Sequence, residues 1–212
     1  MKNQGFNNFD IVYYINLEHR IDRNNHIINE LKKTNIDPLK INRINAIYLK
    51  DFGCLGCSKS HIIALEKFVS TPDEIQNCLI LEDDFVFTKN QIEVNNLLNV
   101  FFDKITDFNV LSLSSNIIYE TNTDYSFITR IIESQTTSGY CVSKKFASIL
   151  LDNYRCSTKL LENIGYKIPN YCIDIYTKQL QLKYNWYCLK PKIGIQMESY
   201  SDIEKCMTNY KC

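Results

Sequence analysis

The chain is poor in the residues that punctuate loops, with six glycines and four prolines among 212 residues. No Pro/Gly-rich linker, internal repeat or low-complexity tract interrupts it, which argues against domains strung on flexible connectors. Charge of one sign is also lacking. Lys plus Arg number 24 and Asp plus Glu number 24, so nothing marks a nucleic-acid binder held by phosphate electrostatics. Apolar runs stop after a handful of residues, far short of the roughly 20 that a membrane span needs. The opening "MKNQGFNNFD" lacks the apolar centre of a signal peptide. No N-x-S/T sequon occurs despite 23 asparagines and 26 Ser or Thr, which fits a cytosolic chain or a secreted one purged of sequons. A cytoplasmic protein is the expectation.

What remains is an ordinary globular composition, 45% hydrophobic and 23% charged, in a chain long enough to enclose a core as a single domain over 1–212. Nine cysteines without an export signal read as mostly reduced packing residues rather than a disulfide framework. Abundant Asn, Ile, Lys and Tyr suggest a coding sequence of viral or AT-rich genome origin.

"FDIVYYINL" (9–17) reads as a buried strand, followed by an amphipathic helix over 22–35. "KINRINAI" (40–47) alternates like a half-buried strand. Gly53 and Gly56 break the chain before a helix over 58–70 with Ser58 as its cap. Strands follow at 77–84 and 109–115 with a helix over 91–105 between them. "FITRIIES" and "TSGYCVS" suggest a hairpin, then a helix over 144–154, short helices around Asp174 and a last strand over 185–191. Strands and helices alternate through the first half with connections too long for hairpins. That pattern predicts an α/β fold, a mainly parallel sheet covered on both faces, with a more mixed second half.

Open α/β sheets bind ligands at the carboxyl ends of their strands. Three predicted strands end in polar clusters there: "NLEHRIDR", "EDD" and "SLSSN". Glu82, Asp83 and Asp84 stand between two apolar runs, where carboxylates are costly unless paired, hydrogen-bonded or metal-bound. On an extended chain Glu82 and Asp84 share one face and Asp83 takes the other. Two such carboxylates suit a hard cation, Mg²⁺ or Mn²⁺, although acids capping a solvated turn would look the same. Cys54, Cys57 and His61 imitate zinc spacing, but no second pair completes a four-ligand site. The other reading is a glycine-bent loop whose helix amides, with Ser60 and His61, face a phosphate or ribose. Arg20 and Arg23, just past the first strand, can reach an anionic nucleotide or simply face water.

The ordered set "INL" with its arginine pair, "GCLGCSKSH", "LILEDD", "TSGYCVS", "PKIGIQ" and "SDI" resembles glycosyltransferase family 25 from about residue 10 to 203. The resemblance implies a GT-A-like fold, with a nucleotide-sugar-binding half over about 9–115 and an acceptor-side half over about 116–203. It implies metal-dependent transfer of a hexose, galactose by family weight, from a UDP-sugar to a glycan or hydroxylysine-type hydroxyl, with inversion. It assigns Glu82 and Asp84 to Mn²⁺ or Mg²⁺. Asn16, Leu17, Arg20, Arg23, Ser60, His61 and Asp83 fall on the donor side. Asp174, an isolated acid in "YCIDIYTKQL", is the candidate base, with a helix N-cap as its bland alternative. Two other readings stay open, a catalytically inactive member that binds nucleotide-sugar or a protein partner, and a metal-dependent phosphohydrolase. The latter usually gathers more acids or histidines than His19, His26 and His61 supply.

Overall fold

A computed structural model of the protein describes residues 4–201 and 206–208. Asp202 and Ile203 of the "SDI" motif lie outside the described residues. Strands β1 (Ile11–Asn16), β2 (Ile41–Asn45) and β3 (Asn77–Glu82) alternate with helices α1 (Ile21–Lys32) and α2 (Gly53–Val69). Short β4 (Phe85–Phe87), helix α3 (Gln91–Lys104), long β5 (Val110–Asn122) and β6 (Ile128–Ser143), and helix α4 (Lys144–Ile164) follow. Short helices α5 (Ile173–Tyr176) and α6 (Lys178–Gln181), then β7 (Trp186–Leu189) and β8 (Gly194–Gln196), come next, and β9 (Ser199–Ser201) pairs with β10 (Cys206–Thr208) in a separate two-stranded sheet.

Six strands form one sheet in the order β2-β1-β3-β6-β5-β7. β1 runs parallel to β2 and β3, and β5 parallel to β7, while β6 is antiparallel to both neighbours. The sheet is therefore mainly parallel with one reversed strand, as the alternation of elements predicts. Period-two side-chain direction splits each buried strand between two cores. Leu79 and Leu81 join Phe9, Phe85 and Phe101 on the α1/α3 face, while Cys78 and Ile80 join Phe68, Phe146 and Trp186 on the α2/α4 face. Each such Leu or Phe stabilises the fold by about 1.5–3 kcal/mol when fully buried. Lys144 ties the second face together: its ammonium donates to the carbonyls of Phe68, Val69 and Thr71 at 2.9, 3.0 and 2.8 Å, closing the C-terminal end of α2 where orphan carbonyls and the dipole favour a cation.

Several boundaries move. α2 starts at Gly53, with Phe52 at its N-cap, so the glycines lie inside the helix. Ser58 caps nothing; its hydroxyl donates to the Cys54 carbonyl within the helix. A Cβ on Gly56 would stand 2.5 Å from the Ile47 carbonyl, so the bare backbone is what lets the 46–49 loop lie against α2. The two segments read as a hairpin are one 16-residue strand, β6, whose partner is β5 across several register shifts. α1 ends at Lys32 rather than at 35, with Asn35 at φ 54 in the turn that follows. α4 continues to Ile164, ten residues beyond 154, and stops at Gly165, φ 80. Asp174 sits inside α5, whose N-cap is Cys172, so it is not the N-cap residue. β7 is not the last strand, since β8 returns to pair antiparallel with β4.

Candidate active site

β1 and β3 end side by side, with Ile15 opposite Glu82 in the parallel register, which brings "INL" and "EDD" to one sheet edge. The strand stops at Glu82, and Asp83 and Asp84 form a turn into β4. The acids are therefore not extended, and the expected alternation of faces fails. Arg23, in the first turn of α1, reaches both aspartates: Nη1 lies 3.0 Å from Asp83 Oδ1 and 3.2 Å from Asp84 Oδ2. These pairs are nearly buried, with side chains 12%, 9% and 6% exposed for Arg23, Asp83 and Asp84.

Each acid has its own support. Asn16 donates to Asp83 at 2.7 Å and accepts from Arg43 at 2.7 Å. Gln196, brought in by β8, donates to Asp84 Oδ2 at 3.1 Å. The other oxygen, Asp84 Oδ1, is buried and finds no hydrogen-bond partner among the described residues. Glu82 accepts from Thr137 at 2.7 Å and faces His61 Nε2 at 3.1 Å. His61 is fully buried, and its Nδ1 lies 3.1 Å from the Tyr140 hydroxyl.

Burial and the charge of Glu82 push Asp84 up to about 7, with Arg23 opposing. Burial also raises Asp83 against the pull of Arg23. For Glu82, burial pulls upward but the His61 contact, the His61 charge and Thr137 outweigh it, leaving its carboxyl below the usual range. The triplet thus holds carboxylates pushed in opposite directions, the pattern of groups with distinct tasks.

Two clefts meet here. One is lined by Leu17, Arg23, Tyr48, His61, Asp83 and Asp84, the other by Cys54, Thr136, Lys167, Pro169, Cys172 and Asp174. Cys57, Glu82 and Gln196 belong to both. Asp174 is raised by burial, countered by backbone N–H groups of Ile175 and Thr136 that donate to it. Thr136 holds φ 89, a conformation a β-branched residue adopts at a cost of about 1–3 kcal/mol, beside the acid it serves.

The structure thus brings Leu17, Arg23, Ser60, His61, Asp83, Asp84, Glu82 and Asp174 to the paired clefts. Asn16 acts from behind, through Asp83. Arg20 does not line either cleft; its guanidinium is paired with Asp22 at 2.9 Å. Ser60 reaches the cleft wall but its hydroxyl is engaged, donating to the Gly56 carbonyl at 2.7 Å and accepting from Ile47 N–H at 2.8 Å. Neither Ser60 nor His61 lies in the first turn of α2, so the expectation that both join the helix N-terminal amides fails. Thr137, Tyr140 and Gln196 are the residues that sequence reading left without roles, although "TSGYCVS" and "PKIGIQ" contain them.

The family model of glycosyltransferase family 25 (LPS biosynthesis protein) matches residues 51–170. Among solved structures, A197 from STIV is similar at 12% identity and TM-score 0.51, covering 94% of this chain and 94% of that one. A glycosyltransferase involved in the glycosylation of the major capsid of PBCV-1 is similar at 13% identity and TM-score 0.52, covering 92% of this chain and 96% of that one. At such identities the likeness speaks to the fold, which is GT-A-like. None of the curated proteins matches.

Proposed function

The chain belongs to glycosyltransferase family 25, and from that membership we propose that it transfers a hexose from a UDP-sugar to a hydroxyl acceptor with inversion. Galactose is the first donor sugar to test and glucose the second; the acceptor is a glycan or a hydroxylysine-type side chain. Residues of about 9–115 serve the donor and those of about 116–203 the acceptor. One observation carries this reading. Glu82 belongs to both clefts, with Asp84 on one side and Asp174 on the other.

Glu82 and Asp84 are the residues that hold a divalent ion, Mn²⁺ or Mg²⁺, whose chemistry when bound is Lewis-acid stabilisation of charge on a departing diphosphate. The unpartnered, buried Asp84 Oδ1 fits that role, because a buried carboxylate oxygen without a partner is otherwise a net cost. Arg23 and Asn16 fix Asp83, while Gln196 fixes the other oxygen of Asp84. His61 and Thr137 hold Glu82 in register. Leu17, Arg23 and Tyr48 wall the donor cleft, with Ser60 shaping it from below.

Asp174 takes the proton of the acceptor hydroxyl. Burial raises its carboxyl above the ordinary range, which makes it a stronger base, and Ile173, Pro169 and the thiols of Cys54 and Cys172 surround it with low-polarity wall. Inversion requires a base only on the face opposite the leaving group, so one carboxylate suffices.

Measuring UDP release over a panel of UDP-sugars, with and without acceptor hydroxyls, tests the reading. UDP-galactose turnover that EDTA abolishes and Mn²⁺ restores is expected. Turnover insensitive to EDTA removes the metal assignment; UDP binding without release from any donor supports the inactive-member alternative instead.

A further inference from the structure

Sequence spacing sets Cys54, Cys57 and His61 in a row, but the helix separates them. Cys54 turns toward Cys172, with which it shares a thiol–thiol hydrogen bond. Cys57 and His61, four residues apart and so on one face of α2, turn toward the end of β3. There a Cys57 sulfur, a His61 ring nitrogen and a Glu82 carboxylate oxygen lie within 4.8 Å of one another. Tetrahedral zinc, with bonds of about 2.0–2.3 Å, sets its ligands about 3.3–3.8 Å apart. Side-chain adjustments below about an ångström therefore close a tripod around one ion.

The donor set is selective. Thiolate and imidazole favour Zn²⁺ or Co²⁺ over Mg²⁺, which prefers oxygen ligands. The surroundings also match what a zinc histidine requires. His61 Nδ1 lies 3.1 Å from the Tyr140 hydroxyl, and the ring stacks on Tyr140 at 24° and meets Tyr154 edge-on. With Nε2 turned to a metal, Nδ1–H donates to Tyr140, the outer hydrogen bond that fixes ligand orientation. The Tyr140 hydroxyl in turn is hydrogen-bonded with Tyr154. Access is provided from two sides, because Cys57 and Glu82 line both clefts.

We propose that Cys57, His61 and Glu82 form a soft-cation site, specific for Zn²⁺-like ions, which shares only Glu82 with the hard-cation pair Glu82–Asp84 and shuts off transfer when filled. Binding replaces the Cys57 S–H proton, which leaves to solvent, with a sulfur–metal bond. The His61 proton moves to Nδ1, and no oxidation state changes. A filled tripod takes Glu82 from Asp84 and leaves three protein ligands with one open position facing the clefts. The binding part stands by itself; the inhibitory part rests on the reading of Glu82 given above.

The test uses the metal-free full chain and Co²⁺ as probe. One equivalent of Co²⁺ gives a thiolate-to-cobalt charge-transfer band with tetrahedral visible absorption, and Zn²⁺ displaces it. C57S loses the band and binds Zn²⁺ at least about tenfold more weakly, whereas C54S and D84N retain it. Circular dichroism of each variant verifies its fold, with C57A as the second replacement if C57S misfolds. A missing band in the parent protein overturns the site, as does a band that survives both Cys57 replacements or disappears in C54S. In the UDP-release assay with excess Mn²⁺, Zn²⁺ inhibits the parent at concentrations about tenfold below those needed for C57S. Full turnover with the tripod saturated overturns the inhibitory part. Should no donor release UDP at all, the transferase reading fails while the cobalt spectra still decide the site.

Discussion

The two clefts that meet at Glu82 are built of different materials. The cleft proposed for the donor is a charged knot: Arg23, Asp83 and Asp84 are paired at 3.0–3.2 Å in near-complete burial. The cleft proposed for the acceptor is lined by thiols, Thr136, Thr137 and aliphatic groups, with Asp174 and Lys167 as its charged residues besides the shared Glu82. The first comes from the ends of β1 and β3 and from α1, with Arg23 60 residues away from Asp83 in sequence. The second is assembled from the middle of β6, the N-terminus of α2 and the loop before α5. The acids of the first cleft are neighbours in sequence, whereas Asp174 of the second stands alone in it. A site for a dianionic leaving group needs fixed charge, whereas a hydroxyl acceptor needs a shaped, low-polarity wall around one base.

The sharpest way to break this contrast is Asp84→Ala. Turnover is expected to fall by about 10³-fold or more, with dependence on Mn²⁺ lost in the same assay; retained turnover would show the charged cleft to be structural only. Asp174→Asn comes next, with a fall of about 10²-fold or more. The sign of its pH dependence follows from burial, which raises Asp174 above the ordinary carboxylate range. Parent activity is therefore lost as pH falls through that raised value, and the Asn variant has no such limb in its residual pH–rate profile.

Arg23→Gln probes the knot through stability. It leaves two buried acids without their cation, so urea unfolding should show a loss of about 3 kcal/mol, partly recovered by adding Mn²⁺. The metal-free parent carries a related signature. Asp84 is raised from 3.8 to about 7, so its folded form holds a proton that the unfolded chain has released. That contribution is complete below about 3.8, and is lost as pH rises through about 7. Urea midpoints should fall between pH 5 and pH 8 (about 1–2 units either side of 7), and Asp84→Asn should flatten the trend. The smallest effect belongs to Thr137→Val, which removes one 2.7 Å hydrogen bond to Glu82. A net loss of about 0.5–1.5 kcal/mol predicts a turnover decrease of roughly tenfold or less.

Legibility followed the same division. Three adjacent carboxylates after an apolar run need no structure to be noticed, and β1, β3 and α3 declare themselves by burial pattern. The geometry of the acids was not legible, because the turn at Asp83–Asp84 exists to start β4, whose partner β8 lies far along the chain. Gln196 arrives by that same pairing. The start of α2 departs from its sequence expectation for a physical reason. Glycine is a poor helix former, yet Gly56 is inside the helix because Ile47 packs against its bare backbone. In β6, the polar run from Gln135 to Ser138 looks like a turn, whereas β5 pairs on either side of it, Asn116 with Gln135 and Ser114 with Gly139, across a register shift that contains Thr136 at φ 89.

The sequence by itself determined the alternation of strand and helix, the two-faced burial of the central strands and the presence of acids at their ends. These are local properties, written in apolar period and residue type. Only the tertiary structure decided which acid meets Arg23, which meets His61 and Thr137, and which keeps an oxygen unpaired. Those outcomes depend on groups from distant segments competing for the same few ångströms, and short-range pattern carries no information about who arrives there.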